Sequence, residues 1–247
     1  MKRLFKRLLI AVAGVTVVGL VLASLAYWWL LYVEEVPEPE LAGLMVAGAL
    51  QHQGRERTWH AYIPEAHAAG MPLLLVMHGS LGDGRQMIEA TRYEFNRLAE
   101  TEGFVPVYPD GFERHWNDCR AGAGYSANTL DIDDVGFLAA LVARMVESHG
   151  VDRSRVYATG ISNGGQMAYR LALEAPGLVA GIAAIVANMP TADNFDCRAG
   201  GTGMPTLMIN GTDDPINPYG GGTVDVFGDT SRGGVVSAVE SAVYWAR

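Results

Sequence analysis

Residues 160–164 read Gly-Ile-Ser-Asn-Gly, a spacing that suits one kind of chemistry. A serine hydroxyl can attack an acyl carbon when it stands clear of the backbone, near a base and near amides that receive the developing negative charge. Standing clear is a backbone matter. The serine must sit on a sharp strand-to-helix turn in strained dihedrals, where side chains two residues to either side would collide with neighbouring main chain. Gly160 and Gly164 remove those collisions and leave Ser162 as the candidate nucleophile. The helix that follows would aim its amino terminus at the site, so the amide of Asn163 is one candidate oxyanion donor. A glycine-rich turn with an ordinary surface serine is the alternative reading.

Two further segments fit the same chemistry. His78-Gly79-Ser80 follows an apolar run at 73–77, and the amide of Ser80 is the candidate second donor, with Gly79 allowing a close approach. His78 at the end of that run is better read as a brace for the donor loop than as a base. Asn210-Gly211-Thr212-Asp213-Asp214-Pro215 follows another apolar run, and a carboxylate there can orient a histidine in the order serine, acid, histidine. Asp214 is the preferred acid and Asp213 the alternative; an aspartate-rich turn bonding its own backbone is the reading without chemistry. The six histidines (His52, His60, His67, His78, His115 and His149) all precede Ser162. None holds the position that the order requires.

These residues need a scaffold. From about residue 41 short apolar runs alternate with longer helical ones, the signature of βαβ units and a mainly parallel sheet. Strands are predicted at 57–63, 73–77, 104–108, 156–159, 181–186 and 207–210, and the run at 73–77 is apolar throughout, as a strand covered on both faces should be. Helices are predicted at 85–102, from Asp133 or Asp134 to about 149, from the serine turn to about 175, and from 235 to the end of the chain.

Charge and composition limit the partners. The 247 residues carry a net charge of −9, and Lys2, Arg3, Lys6 and Arg7 supply four of the 18 basic residues. The acidic remainder lacks the basic face that a nucleic-acid partner needs. The uncharged apolar run at 8–33 would span about 39 Å as a helix, enough to cross about 30 Å of hydrocarbon. Tyr27, Trp28, Trp29 and Tyr32 sit at its far end, and the positive flank should stay in the cytoplasm, leaving the body outside. A cleavable signal peptide is the competing reading, with the same consequence for the body. Residues 34–45 are read as an acidic, proline-containing spacer and 46–247 as the domain that would carry the chemistry. Cys119 and Cys197 are too few for a disulfide scaffold but can form one bridge outside the cytoplasm; no spacing suggests a metal site.

Taken together these segments resemble the polyhydroxybutyrate depolymerase-like esterases, an α/β-hydrolase group that includes feruloyl and acetylxylan esterases. The resemblance runs over residues 57–247 and rests on MHGS at 77–80, YPDG at 108–111, HWNDC at 115–119, DDVGFL at 133–138, VDRSRVYATGISNGGQMAYRLA at 151–172 and NGTDDPINPYGGG at 210–222. It implies an α/β-hydrolase fold, a mainly parallel sheet with helices on both faces, preceded by the apolar helix. It implies Ser162 as nucleophile and Asp214 as acid in a carboxylic ester hydrolase that needs no cofactor. Hydroxyalkanoate oligomers, acylated polysaccharide and small phenolic esters are the implied substrate classes, and Trp116 and Tyr219 are candidates for an aromatic wall beside the site. Two departures stand out. Asn210 replaces a histidine common in relatives, and the catalytic histidine of such enzymes belongs to a glycine-rich loop beyond the last predicted helix. The expectation is a domain incomplete at its carboxy terminus, with part of the sheet edge uncovered and little or no activity. A peptidase or lipase on the same fold and a non-catalytic binding module are the alternatives.

Overall fold

The computed structural model describes residues 2–30 and 36–247. The end of the apolar run at 31–33, with Tyr32 of the aromatic group, and the first spacer residues Glu34 and Glu35 lie outside the described residues. The chain divides into two compact units, Met1–Pro37 and Glu38–Arg247. In the first, α1 (Lys2–Leu30) contains the 24-residue segment Phe5–Trp28, long and apolar enough to cross a membrane.

The second unit runs β1 (Leu44–His52), β2 (Arg55–Ile63), β3 (Leu73–Met77), α2 (Gly84–Ala90), α3 (Glu94–Glu102), β4 (Val105–Pro109), α4 (Ser126–Thr129), α5 (Asp134–His149), β5 (Val156–Ile161), α6 (Asn163–Glu174), β6 (Gly181–Ile185), β7 (Thr206–Ile209), β8 (Gly222–Thr223), β9 (Gly234–Val235) and α7 (Ala238–Trp245). The first seven strands form one sheet in the order β1-β2-β4-β3-β5-β6-β7. β1, β2 and β4 pair antiparallel, and every pair from β4 through β3, β5 and β6 to β7 is parallel.

Alternation along β3 builds a core on each face. Leu73, Leu75 and Met77 pack in the larger cluster with Phe137 and Leu141 of α5 and Met167 and Leu171 of α6. Val76 turns the other way, into a smaller cluster with Met87 and Ile88 of α2, Tyr93 and Tyr108. Side chains two apart share a face and neighbours oppose, so an all-apolar strand serves two layers. The fold is the α/β-hydrolase fold, with helices on both faces of a mostly parallel sheet.

Three differences from the sequence reading have physical causes. The helix predicted over 85–102 is two helices. Arg92 and Tyr93 take φ of +54° and +59° between α2 and α3, and the turn drives the Tyr93 ring into the smaller cluster. Asp83 caps α2, its Oδ1 accepting from the Gln86 amide at 2.8 Å. β1 was not predicted: it pairs on one side only and buries none of its side chains fully, so its pattern carries little hydrophobic period. It starts at Leu44, inside the stretch read as a spacer over 34–45, and the compact unit begins at Glu38. At the other end of the sheet β7 has an unpaired outer edge among the described residues, with Leu207 57% and Ile209 51% exposed.

Candidate active site

Ser162 stands between the last residue of β5 and the first of α6, with φ +53° and ψ −115°. Few side-chain-bearing residues tolerate a positive φ, and here the fold over-determines it. The Ser162 amide donates to the Ile185 carbonyl of β6 at 2.8 Å, and its own carbonyl accepts from Gln166 at 2.9 Å. A Cβ on Gly164 would run into the carbonyl oxygens of Met77 and His78, and one on Gly160 into the backbone of Gly164. Both glycines expected at this turn are therefore required by space. Gly79 is different. A Cβ there would sit 3.4 Å from the Ile161 oxygen and 3.7 Å from the Ser162 Cβ, ordinary contact, so glycine is tolerated at that position rather than demanded. The same distances bring the loop carrying Ser80 up against the serine. The amides of Ser80 and Asn163 have no acceptor among the described residues, the condition in which an amide can receive an anion.

Ser162, Ser80 and Asp214 line one cleft of about 270 Å³ together with Gly79, Gln166 and Asn217. Asp214 is half-buried and Asp213 exposed, and only Asp214 reaches the cleft. Its Oδ1 accepts from the amides of Ile216 at 2.8 Å and Asn217 at 2.9 Å. The turn thus bonds its own backbone as the reading without chemistry held, while the other carboxylate oxygen has no hydrogen-bond partner among the described residues. A larger, mainly apolar cavity of about 690 Å³ lies against Phe195, Val236, Val243 and Tyr244, and contains neither Ser162 nor Asp214.

No histidine lines the cleft among the described residues. His78 is a brace: Nε2 accepts from the Gly111 amide at 2.9 Å, so Nδ1 carries the proton and donates to the Gly79 carbonyl at 2.7 Å. Its ring lies 5.1 Å from that of Trp116, and burial lowers its pKa, keeping it neutral. Trp116 is fully buried, with Nε1 donating to the His78 carbonyl at 3.0 Å, and Tyr219 does not line the cleft, so the aromatic wall considered from sequence is not formed by either.

Sequence reasoning missed the support behind Asn163. Its side chain is fully buried. Oδ1 accepts from the Trp116 amide at 2.8 Å; Nδ2 lies 2.6 Å from Asp118 Oδ2, 2.9 Å from the Tyr125 hydroxyl and 3.0 Å from the Trp116 carbonyl. Arg120 completes the cluster, with Nη2 at 2.5 Å from Asp118 Oδ2 and 2.8 Å from the Tyr125 oxygen. Burial alone would raise the Asp118 pKa, but Arg120 and the Tyr125 hydroxyl hold it below the ordinary range. Cys119, between these two charges, is disulfide-bonded to Cys197, with Cα atoms 4.9 Å apart. The segment HWNDC therefore grips the first residue of α6 from behind.

The family model described as esterase PHB depolymerase matches residues 58–218, which include Ser80, Ser162 and Asp214. The putative esterase NocK of Nocardia uniformis subsp. tsuyamanensis is 34% identical over 174 residues, 68% of this chain and 48% of that protein. A bifunctional acetylxylan esterase/xylanase of Neocallimastix patriciarum is 31% identical, over 68% of this chain and 23% of that protein. Poly(3-hydroxyalkanoate) depolymerase C of Paucimonas lemoignei is 29% identical, over 70% and 38%. The matched regions span less than half the length of each of these relatives. Among solved structures, a complex of a pOPH variant with DMSO superposes with a TM-score of 0.58 at 16% identity, over 83% of this chain and 72% of that one. A thermostable esterase gives 0.52 at 16% identity, over 71% and 48%. At such identity the likeness is one of fold.

Proposed function

This chain belongs to the PHB depolymerase esterase family, and from that premise we propose that it is the core of an extracytoplasmic serine esterase acting through an acyl-enzyme on Ser162. The observation that carries the proposal is the strained turn at Ser162, held by two sterically required glycines beside two amides without acceptors. In this mechanism the serine oxygen attacks the ester carbonyl and the oxyanion accepts hydrogen bonds from Ser80 and Asn163. The alkoxide leaves with a proton from the base, and water then releases the acid by the same steps in reverse. Asp214 orients the base. None of the six histidines lines the cleft among the described residues, so the base that this mechanism requires is not assigned to any of them. α1 serves as a membrane anchor or signal, leaving the acidic body outside the cytoplasm, where the Cys119–Cys197 bond is stable.

A second reading, a non-catalytic binding module, is favoured by the absence of a histidine from the cleft among the described residues. Labelling by a fluorophosphonate separates the two. Expressed with whatever sequence follows Arg247 in its gene, the protein should be labelled, and Ser162→Ala should abolish the label. Residues 1–247 alone should react slower by about 10³-fold or more, the usual scale for a missing triad member. A folded longer protein that takes no label would remove the esterase reading and leave the binding module. Equal labelling of the two lengths would show that residues 1–247 supply the base themselves.

A further inference from the structure

The cleft beside Ser162 has a wall of hydrogen-bond donors that the hydrolytic chemistry does not use. Arg120 and Arg232 both line it, as does Asn217. Arg232 comes from the loop between β8 and β9, outside the region matched by the family model. It is only 8% exposed, and its guanidinium lies 6.0 Å from the centre of the Tyr125 ring. One of its nitrogens, Nη1, donates to Asp229 at 2.7 Å; Nε and Nη2 have no acceptor among the described residues. Arg120 uses Nε and Nη2 on Asp118 and Tyr125, and its Nη1 is likewise without an acceptor. Asn217 is 7% exposed, and its Nδ2 is buried with no partner.

A buried donor without a partner is costly, and Asn217 Nδ2 is such an atom, whereas the open nitrogens of Arg120 and Arg232 still reach solvent and can meet a ligand there. Two arginines lining one small cleft call for an acceptor with negative charge, and a planar carboxylate suits guanidinium geometry best. The rest of the lining bears on what carries the carboxylate: Ile161, Val186, Ile216, Val224 and Val226 are aliphatic and suit a short hydrocarbon stem. Asp118 offsets Arg120, and Asp229 offsets part of Arg232 from a position 53% exposed, so attraction would come from directed donors more than from net charge.

We infer that Arg232, with Arg120 and Asn217, forms a carboxylate subsite, and that the preferred substrates are esters bearing a free carboxylate a few carbons from the scissile bond. The inference deepens the esterase reading and rests on it. Its test is binding, measured on residues 1–247 carrying Ser162→Ala so that nothing turns over. Monoethyl succinate and diethyl succinate differ in that one end is a carboxylate or its ester, and calorimetric or NMR titration at low salt compares them. The expected result is at least about 10-fold tighter binding of the monoester, the scale of one charge-assisted hydrogen-bond pair. Arg232→Gln should erase the preference, and Arg232→Lys should keep part of it. Equal affinity for the two esters, no detectable binding of the monoester, or a preference intact in a folded Arg232→Gln variant would overturn the subsite. If that variant does not fold, the ligand comparison in the Arg232 protein decides alone. Fluorophosphonate labelling of the longer protein reports separately on the hydrolase reading, so a failure of either is recognisable.

Discussion

Gly164 and Asn163 adjoin Ser162 and fail in different ways when changed. Gly164→Ala forces a methyl against the carbonyls of Met77 and His78, which belong to β3 and the loop after it and cannot rotate aside. A destabilisation of about 3 kcal/mol is expected from denaturant unfolding. Asn163→Ala keeps the backbone amide but strips the partners of the Trp116 amide and of Asp118, at a cost of about 2–4 kcal/mol; an effect below about 1 kcal/mol would show that the clamp carries little. Burial lowers the pKa of His78 and also that of His115. Unfolded rings gain protons near 6.5 while the folded rings stay neutral, so stability should fall as pH drops below about 6.5. His78→Gln should flatten that slope and leave the His115 share; an unchanged slope would mean that His78 is protonated in place. At this scale the sequence was legible where chemistry imposes spacing, as at Gly160, Ser162 and Gly164. Asp118, Tyr125 and Arg232 were not legible, because no spacing rule links them to the serine; Asp118 and Tyr125 reach Asn163 only across 45 and 38 residues of sequence.

Between elements, the loop after β4 is the piece on which the site leans. It carries Trp116, Asp118 and Arg120 to the amino end of α6, and the Cys119–Cys197 bond ties it to the segment after β6 across 78 residues of sequence. Closing a loop of that length restricts the unfolded chain by about 4 kcal/mol in the chain-entropy view. A Cys119→Ser/Cys197→Ser protein should unfold at correspondingly lower denaturant, and its Asn163 side-chain amide should lose NMR dispersion as the clamp loosens. Strands β3 to β7 were readable because each is an apolar run followed by a helix start or a turn. The break between α2 and α3 was not: Thr91-Arg92-Tyr93 contains neither glycine nor proline, and packing of the Tyr93 ring outweighs the local preference for continuing the helix.

On the scale of the whole molecule the two compact units divide the labour. Residues 38–247 contain both hydrophobic clusters and every residue of the cleft. Deleting residues 1–37 should therefore leave the unfolding free energy of the body unchanged within about 0.5 kcal/mol. A body that unfolds on deletion would contradict this division. The outer edge of β7, unpaired among the described residues, has a consequence for handling the protein. A strand with open donors and acceptors, and with Leu207 and Ile209 facing outward, is a template on which a second polypeptide can lay its own backbone. Concentrated solutions of residues 38–247 should accordingly drift toward oligomers by strand annealing. Asp213 and Asp214 follow the strand within five residues as like-charge gatekeepers, and replacing both with asparagine should quicken that drift.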